Sequence, residues 1–142
     1  MLLKLLPEQL DKFWPYIRFA LEKVTPPNIF SQSGCLNNTL NALLVDSMQC
    51  WICTEDQEHI LACVLTGVYK NEFLGTSVLR VMMVYGYESI PPSEWESGLG
   101  TLEKYAKGIG CSSLEAFTNL LELDSLAHKI GFESDIHLWK DI

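Results

Sequence analysis

Residues 91–111 read PPSEWESGLGTLEKYAKGIGC, with Gly98-x-Gly100 near a predicted helix start, then Lys104 and a second glycine pair. Glycine-rich turns that open a helix hold phosphate oxygens through backbone amides and the positive end of the helix dipole. The stretch is therefore a candidate phosphate cradle. A second chemical signal is Cys50-Trp51-Ile52-Cys53, which has the spacing of a dithiol or half a zinc site. Redox pairs of this spacing sit at a helix N-terminus, where the dipole lowers a thiol pKa. Here the pair lies in a predicted strand, in which residues i and i+3 face opposite sides. No second Cys-x-x-Cys or histidine pair completes four ligands, so the cysteines read as core residues and no metal is expected. His59, His128 and His137 are dispersed, and the chain has no Gly-x-Ser-x-Gly elbow. Met82-Met83 and the aromatic set Trp14, Tyr16, Phe19 and Phe30 read as core.

The elements that must position these residues follow from the apolar pattern. Met1–Leu5 suits a strand, and a helix runs from Pro7 to about Val24, with Pro15 in its interior predicted to kink or split it. Cys35–Asp46 reads as a second helix. Met48–Thr54 and His59–Tyr69 form a hairpin around Glu55-Asp56-Gln57-Glu58, and Ser77–Tyr87 is a third, nearly continuous and hence central strand. Ser93 and Glu96 have capping-box spacing for a helix ending near Gly108 or Gly110. A strand (Ser112–Thr118), a short helix (Leu120–Lys129) closed by Gly131, and a final strand (Asp135–Trp139) complete the chain. The order β-α-α-β-β-β-α-β-α-β predicts an α/β fold with a mixed, mostly antiparallel sheet and helices on both faces.

The chain has 142 residues, suiting one domain over 1–142, and an apolar fraction of 48% suits a buried core. A net charge of −8 argues against nucleic acid or an anionic membrane as partner. The opening MLLKLLPEQL is too short for a signal-peptide core or a span, and the five cysteines are odd in number and mostly in apolar segments. A cytoplasmic protein with reduced thiols is the expectation.

The order, and the stretch LEKYAKGIGC with LEAFTNLLELDSLAHKIGFESDIHLWKD, resembles the GNAT family of N-acetyltransferases. That family transfers acetyl from acetyl-coenzyme A to an amine. The matching features are a strand closing on Asn119, a short helix, then Lys129-Ile130-Gly131-Phe132, with Gly131 ending the helix in a left-handed conformation and Phe132 plugging the core beyond it. For an active enzyme, the resemblance implies Glu88 or His128 in catalysis and Tyr85 and Asn119 against the cofactor. Glu88 ends the third strand of the hairpin series, where a carboxylate can take a proton from the amine.

Three departures weigh on that chemistry. The resemblance places a diphosphate loop of Arg/Gln-x-x-Gly-x-Gly/Ala type near residues 88–95, which read ESIPPSEW, without glycine, arginine or glutamine. Two prolines remove amide donors there, and Glu94 and Glu96 repel phosphate. Gly98 and Gly100 fall a turn too late and read instead as sites of close helix–sheet packing. The place of the family's tyrosine proton donor holds Ala127. The expectation is therefore a GNAT-shaped protein that has lost the cofactor and works as a binding or assembly module through a protein partner or self-association. Similar small divergent chains among tailed-bacteriophage proteins suggest a virion or accessory role. The alternative is an acetyl-CoA-dependent N-acetyltransferase with an atypical phosphate loop.

Overall fold

Unbroken apolar runs set the centre of the sheet. In β2 (Met48–Thr54) residues 49–53 are all buried, and in β3 (Ile60–Asn71) residues 61–67 are. Burial on both faces requires a layer on each side. The computed structural model, which describes residues 1–26, 34–56, 58–118 and 121–142 and only the backbone of Glu122, supplies both layers. β1 (Leu2–Lys4), β2, β3, β4 (Thr76–Gly86) and β5 (Ser113–Ala116) lie in chain order across one five-stranded sheet. The pairs are antiparallel until β4 and β5, which are parallel. The helix α3 (Pro92–Gly108) makes the crossover that a parallel pair needs.

Helix α1 (Leu10–Val24) buries Leu10, Ile17, Ala20 and Leu21, a stripe at helical spacing, and α2 (Cys35–Leu44) adds Leu43. They cover Cys50, Ile52, Cys63, Leu65 and Met83. On the other face Leu102 and Ala106 of α3 meet Leu2, Trp51, Leu79 and Val81. α4 (Leu121–Lys129) follows β5. The predicted class, a mixed and mostly antiparallel sheet between helices, is the observed one.

Cys50 and Cys53 point to opposite faces, Cys50 toward α1 and Cys53 toward α3. Cys50 Sγ lies 3.8 Å from Cys63 Sγ, and that contact together with burial pushes its thiol pKa far up, the reverse of a reactive cysteine. One buried polar chain crosses the α3 face. Trp51 Nε1 donates to Thr66 Oγ1 (3.0 Å), which donates to Gln49 Oε1 (2.9 Å), while Gln49 Nε2 donates to the Asp46 carbonyl (3.1 Å).

Several local expectations are corrected. Pro15 does not split α1, which runs continuously from Leu10 to Val24. Pro15 and Asp11, whose carbonyl loses its helical donor, are both exposed, so water can satisfy that carbonyl. Ser93 and Glu96 form no capping box; Pro91 is the N-cap and Pro92 the first helical residue, which moves Ser93 inside the helix. Gly98 and Gly100 are not packing glycines: a Cβ on Gly98 would meet only Leu2 Cδ2 at 3.8 Å, and one on Gly100 would meet nothing within 4 Å. The final strand over Asp135–Trp139 is absent among the described residues, with Ile136, Leu138 and Trp139 exposed. Phe132 accordingly plugs no core and is half-buried beside β5. The helix stops do match. Gly110 (φ +84°) follows α3 and Gly131 (φ +95°) follows α4, each with the next residue's N–H bonded back five residues.

Candidate functional site

The chemistry-bearing region is built on an irregularity in β4. Leu65 pairs with Met83 and Thr66 with Val81, so Met82 is an extra residue, a β-bulge. Before the bulge Leu79 and Val81 face α3; after it Met83, Tyr85 and Tyr87 face α1. β5 pairs only with Val78–Val81. From Met82 to Gly86, β4 therefore has β3 on one side and, among the described residues, no strand on the other. The alternate backbone groups pointing that way form an open edge. Val84, on the α3 side of this edge, is half-exposed.

The α1 side of the same stretch is closed by rings. Tyr85 stacks edge-on against Phe19 at 6.0 Å and Tyr87 at 5.1 Å, and the Tyr87 hydroxyl donates to the Tyr16 carbonyl at 2.5 Å. Tyr85 and Tyr87 thus direct their rings to α1 rather than into the plane of the sheet. Tyr16 and Phe19 are only half-buried, which corrects their assignment to the core; Phe30 lies outside the described residues. Met83 is core, but Met82 is half-exposed.

At the end of β4 the chain folds tightly. A Cβ on Gly86 would lie 2.9 Å from the Glu88 carbonyl oxygen, so the turn that presents Glu88 needs glycine there. Glu88 Oε2 lies 2.8 Å from His59 Nε2. His59 is fixed in turn by Asp56 Oδ1, which accepts from the amides of Glu58 and His59 at 3.0 and 2.8 Å. The hydrogen bond with Glu88, reinforced by its charge, raises the His59 pKa, and the two amides lower that of Asp56. Sequence spacing separates His59 from Glu88 by 29 residues; β3–β4 pairing, with Tyr87 N–H bonded to the Leu61 carbonyl, brings them together.

The start of α3 is poor in anion-binding groups. Pro91 and Pro92 carry no N–H, and the amides of Glu94 and Trp95 turn back to the Pro91 carbonyl at 3.0 and 3.2 Å. The Glu94 carboxylate lies 2.7 Å from the Met1 ammonium, which holds its pKa below the usual range. No arginine or lysine lies among residues 86–95.

His128 stands apart from Glu88. Its Nε2 lies 2.7 Å from Ser134 Oγ and 3.3 Å from Asp124 Oδ1, and Ser134 donates to that same carboxylate. Serine and aspartate meet one imidazole nitrogen, and the serine proton goes to the aspartate. The cluster ties α4 to the tail and does not activate a nucleophile. Asn119 lies outside the described residues. Among the described residues no three His, Cys, Asp or Glu side chains converge to hold a metal.

The mixed sheet with its bulged β4 and parallel β5 has the GNAT-type fold, which it shares with solved acetyltransferase structures. The chain superposes over its full length on a probable acetyltransferase (TM-score 0.74, 13% identity, 95% of that chain). It is similar to AAC(6')-Iy in complex with a bisubstrate analog (TM-score 0.73, 12% identity, all of this chain and 97% of that one). It is also similar to a predicted acetyltransferase with acetyl-CoA from Clostridium acetobutylicum (TM-score 0.71, 17% identity, 100% and 94%). No family model matches the sequence, and no curated protein matches it significantly.

Proposed function

We propose that this chain is an acetyl-CoA-dependent N-acetyltransferase, in preference to the binding module that its altered phosphate loop suggested. The observation that carries this reading is the open edge of β4 at Met82–Gly86, in a fold shared end to end with acetyltransferases. The pantetheine arm, an extended chain of amides, suits the outward backbone groups of that edge, those of Val84 and Gly86, whereas the Tyr85 backbone faces Cys63 of β3. Acetyl-CoA, when bound, would supply an acetyl thioester whose C–S bond breaks as the amine's C–N bond forms, coenzyme A leaving as a thiolate that takes its proton from water. Glu88, two residues beyond the strand and hydrogen-bonded to His59, takes the proton the amine loses. The diphosphate end has no matching cradle, because Pro91 and Pro92 lack amide donors and Glu94 takes up the nearby Met1 ammonium. The nucleotide then contributes little to affinity, and positioning of the thioester dominates the rate. Calorimetric titration with acetyl-CoA and with desulfo-CoA tests the reading. Micromolar binding of both is expected; no binding at millimolar ligand would overturn it in favour of the module.

A further inference from the structure

We propose that the outer edge of β5 is a docking slot for an extended, basic segment of a partner protein, which adds as a strand between β5 and the C-terminal tail. β4 pairs with one edge of β5, and among the described residues no backbone hydrogen bond leaves Ser113–Phe117 on the other edge. Such an edge is a template for a further strand. Residues 132–142 run alongside without pairing to it and leave a cavity of about 240 Å³ between Leu114–Phe117 and Phe132–His137. Rings hold the tail there. Phe117 lies 4.9 Å from the His137 ring, which lies 5.7 Å from Trp139, and the Arg80 guanidinium caps Phe117 at 5.0 Å. A strand added to β5 takes up about 4.8 Å, so the tail and its ring contacts must move outward to admit it.

Charge selects the occupant. Of the three carboxylates at the cavity, Glu115 is engaged by Arg80 Nε at 2.5 Å, whereas Glu133 and Asp135 make no ion pair or hydrogen bond among the described residues. Lysine or arginine side chains, with their apolar stems against Phe117 and Phe132, satisfy both carboxylates. A second copy's tail does not: residues 132–142 carry three carboxylates against one lysine, and the whole chain is −8. A free small amine would leave the backbone edge unpaired. An occupant that answers edge, rings and carboxylates together is a β-strand bearing cations, roughly five residues long at about 3.3 Å per residue.

Fluorescence anisotropy of the full chain tests this with labelled Lys-Val-Lys-Val-Lys-Val, its Glu-Val-Glu-Val-Glu-Val counterpart, and a Lys-Pro-Lys-Pro-Lys-Pro version that lacks alternate amides. Binding of the first at least tenfold tighter than either other is expected. Glu133→Gln with Asp135→Asn should weaken it about tenfold while leaving the melting temperature unchanged, and amide exchange at 114–117 should slow on binding. Equal binding of the acidic peptide, or undiminished binding of the proline version, overturns the proposal. So does a chain that self-associates in light scattering and then excludes the peptide, since the slot would belong to a second copy. Competition by spermine as complete as by the unlabelled peptide also overturns it, since the cavity would be a small-cation site.

Discussion

Two glycines ten residues apart show that residue type alone does not set the energetic role. Gly100 lies in the interior of α3 with open space where a Cβ would go, and Gly110 sits at φ +84° just after it. Gly100→Ala removes backbone entropy from the unfolded chain without a clash and should stabilise by about 0.5–1 kcal/mol. Gly110→Ala must place a Cβ in the left-handed region and should cost about 1 kcal/mol. Thermal melts of the pair decide it, and equal shifts would refute the assignment. The phosphate reading of Gly98-x-Gly100 fails on position, since the helix begins at Pro92. The His59–Glu88 contact makes a second residue-scale prediction. The His59 pKa is raised above its ordinary 6.5, first by the Glu88 hydrogen bond and then by charge from Glu88, Asp56 and Glu55. A raised pKa means the interaction stabilises fully below about pH 6.5 and is lost as pH rises through the folded value. Glu88→Gln should therefore drop the His59 midpoint in an NMR titration, and its stability deficit should fade above neutral pH. A midpoint that does not move would show that the two side chains are not coupled.

At the scale of elements, the polar chain Trp51–Thr66–Gln49 joins β2 and β3 beneath α3, and Thr66 is fully buried. Thr66→Val keeps the shape but leaves the indole N–H and the Gln49 carbonyl without a partner, so a loss of about 2–3 kcal/mol is expected. Urea unfolding with an unchanged slope would register it; a loss under about 0.5 kcal/mol would mean that water replaces the hydroxyl. Elements of this kind were legible where periodicity was strong. Met48–Thr54 matches its predicted limits, and the α3 and β4 boundaries shift by one residue or so. What the one-dimensional pattern hid was the bulge. Leu79 and Val81, then Met83, Tyr85 and Tyr87, keep period two on either side of Met82 but face opposite layers. A continuous apolar run masks that slip, although the methionine doublet marks it. The tail failed for a different reason. Ile136 and Leu138 alternate like a strand, yet pairing is a property of two segments, and among the described residues no strand pairs with them.

At the scale of the whole molecule, charge and site architecture make one joint prediction. The chain carries −8, and the α3 start presents Pro91, Pro92 and Glu94, the last paired with the Met1 ammonium, with no lysine or arginine among residues 86–95. Coenzyme A is itself polyanionic at its nucleotide end, whereas the pantetheine arm is neutral. A site that neutralises phosphates loses affinity as salt rises. Here the long-range term is repulsive, and screening must act in the opposite sense. The fold was legible because helices, turns and strands follow local rules, and the missing cradle was legible as Pro91-Pro92. The open β4 edge was not, because it depends on where β5 stops pairing. These two facts separate the arm from the nucleotide. Acetyl-CoA affinity should rise two- to threefold between about 50 and 300 mM salt, as the Debye length falls below about 10 Å. Acetyl-pantetheine should bind within about threefold of acetyl-CoA and show no salt dependence. Calorimetry across that range checks both. An acetyl-CoA affinity that falls with salt, or that exceeds acetyl-pantetheine by a hundredfold, would require a cation at the diphosphate beyond the Met1 ammonium, which Glu94 already pairs.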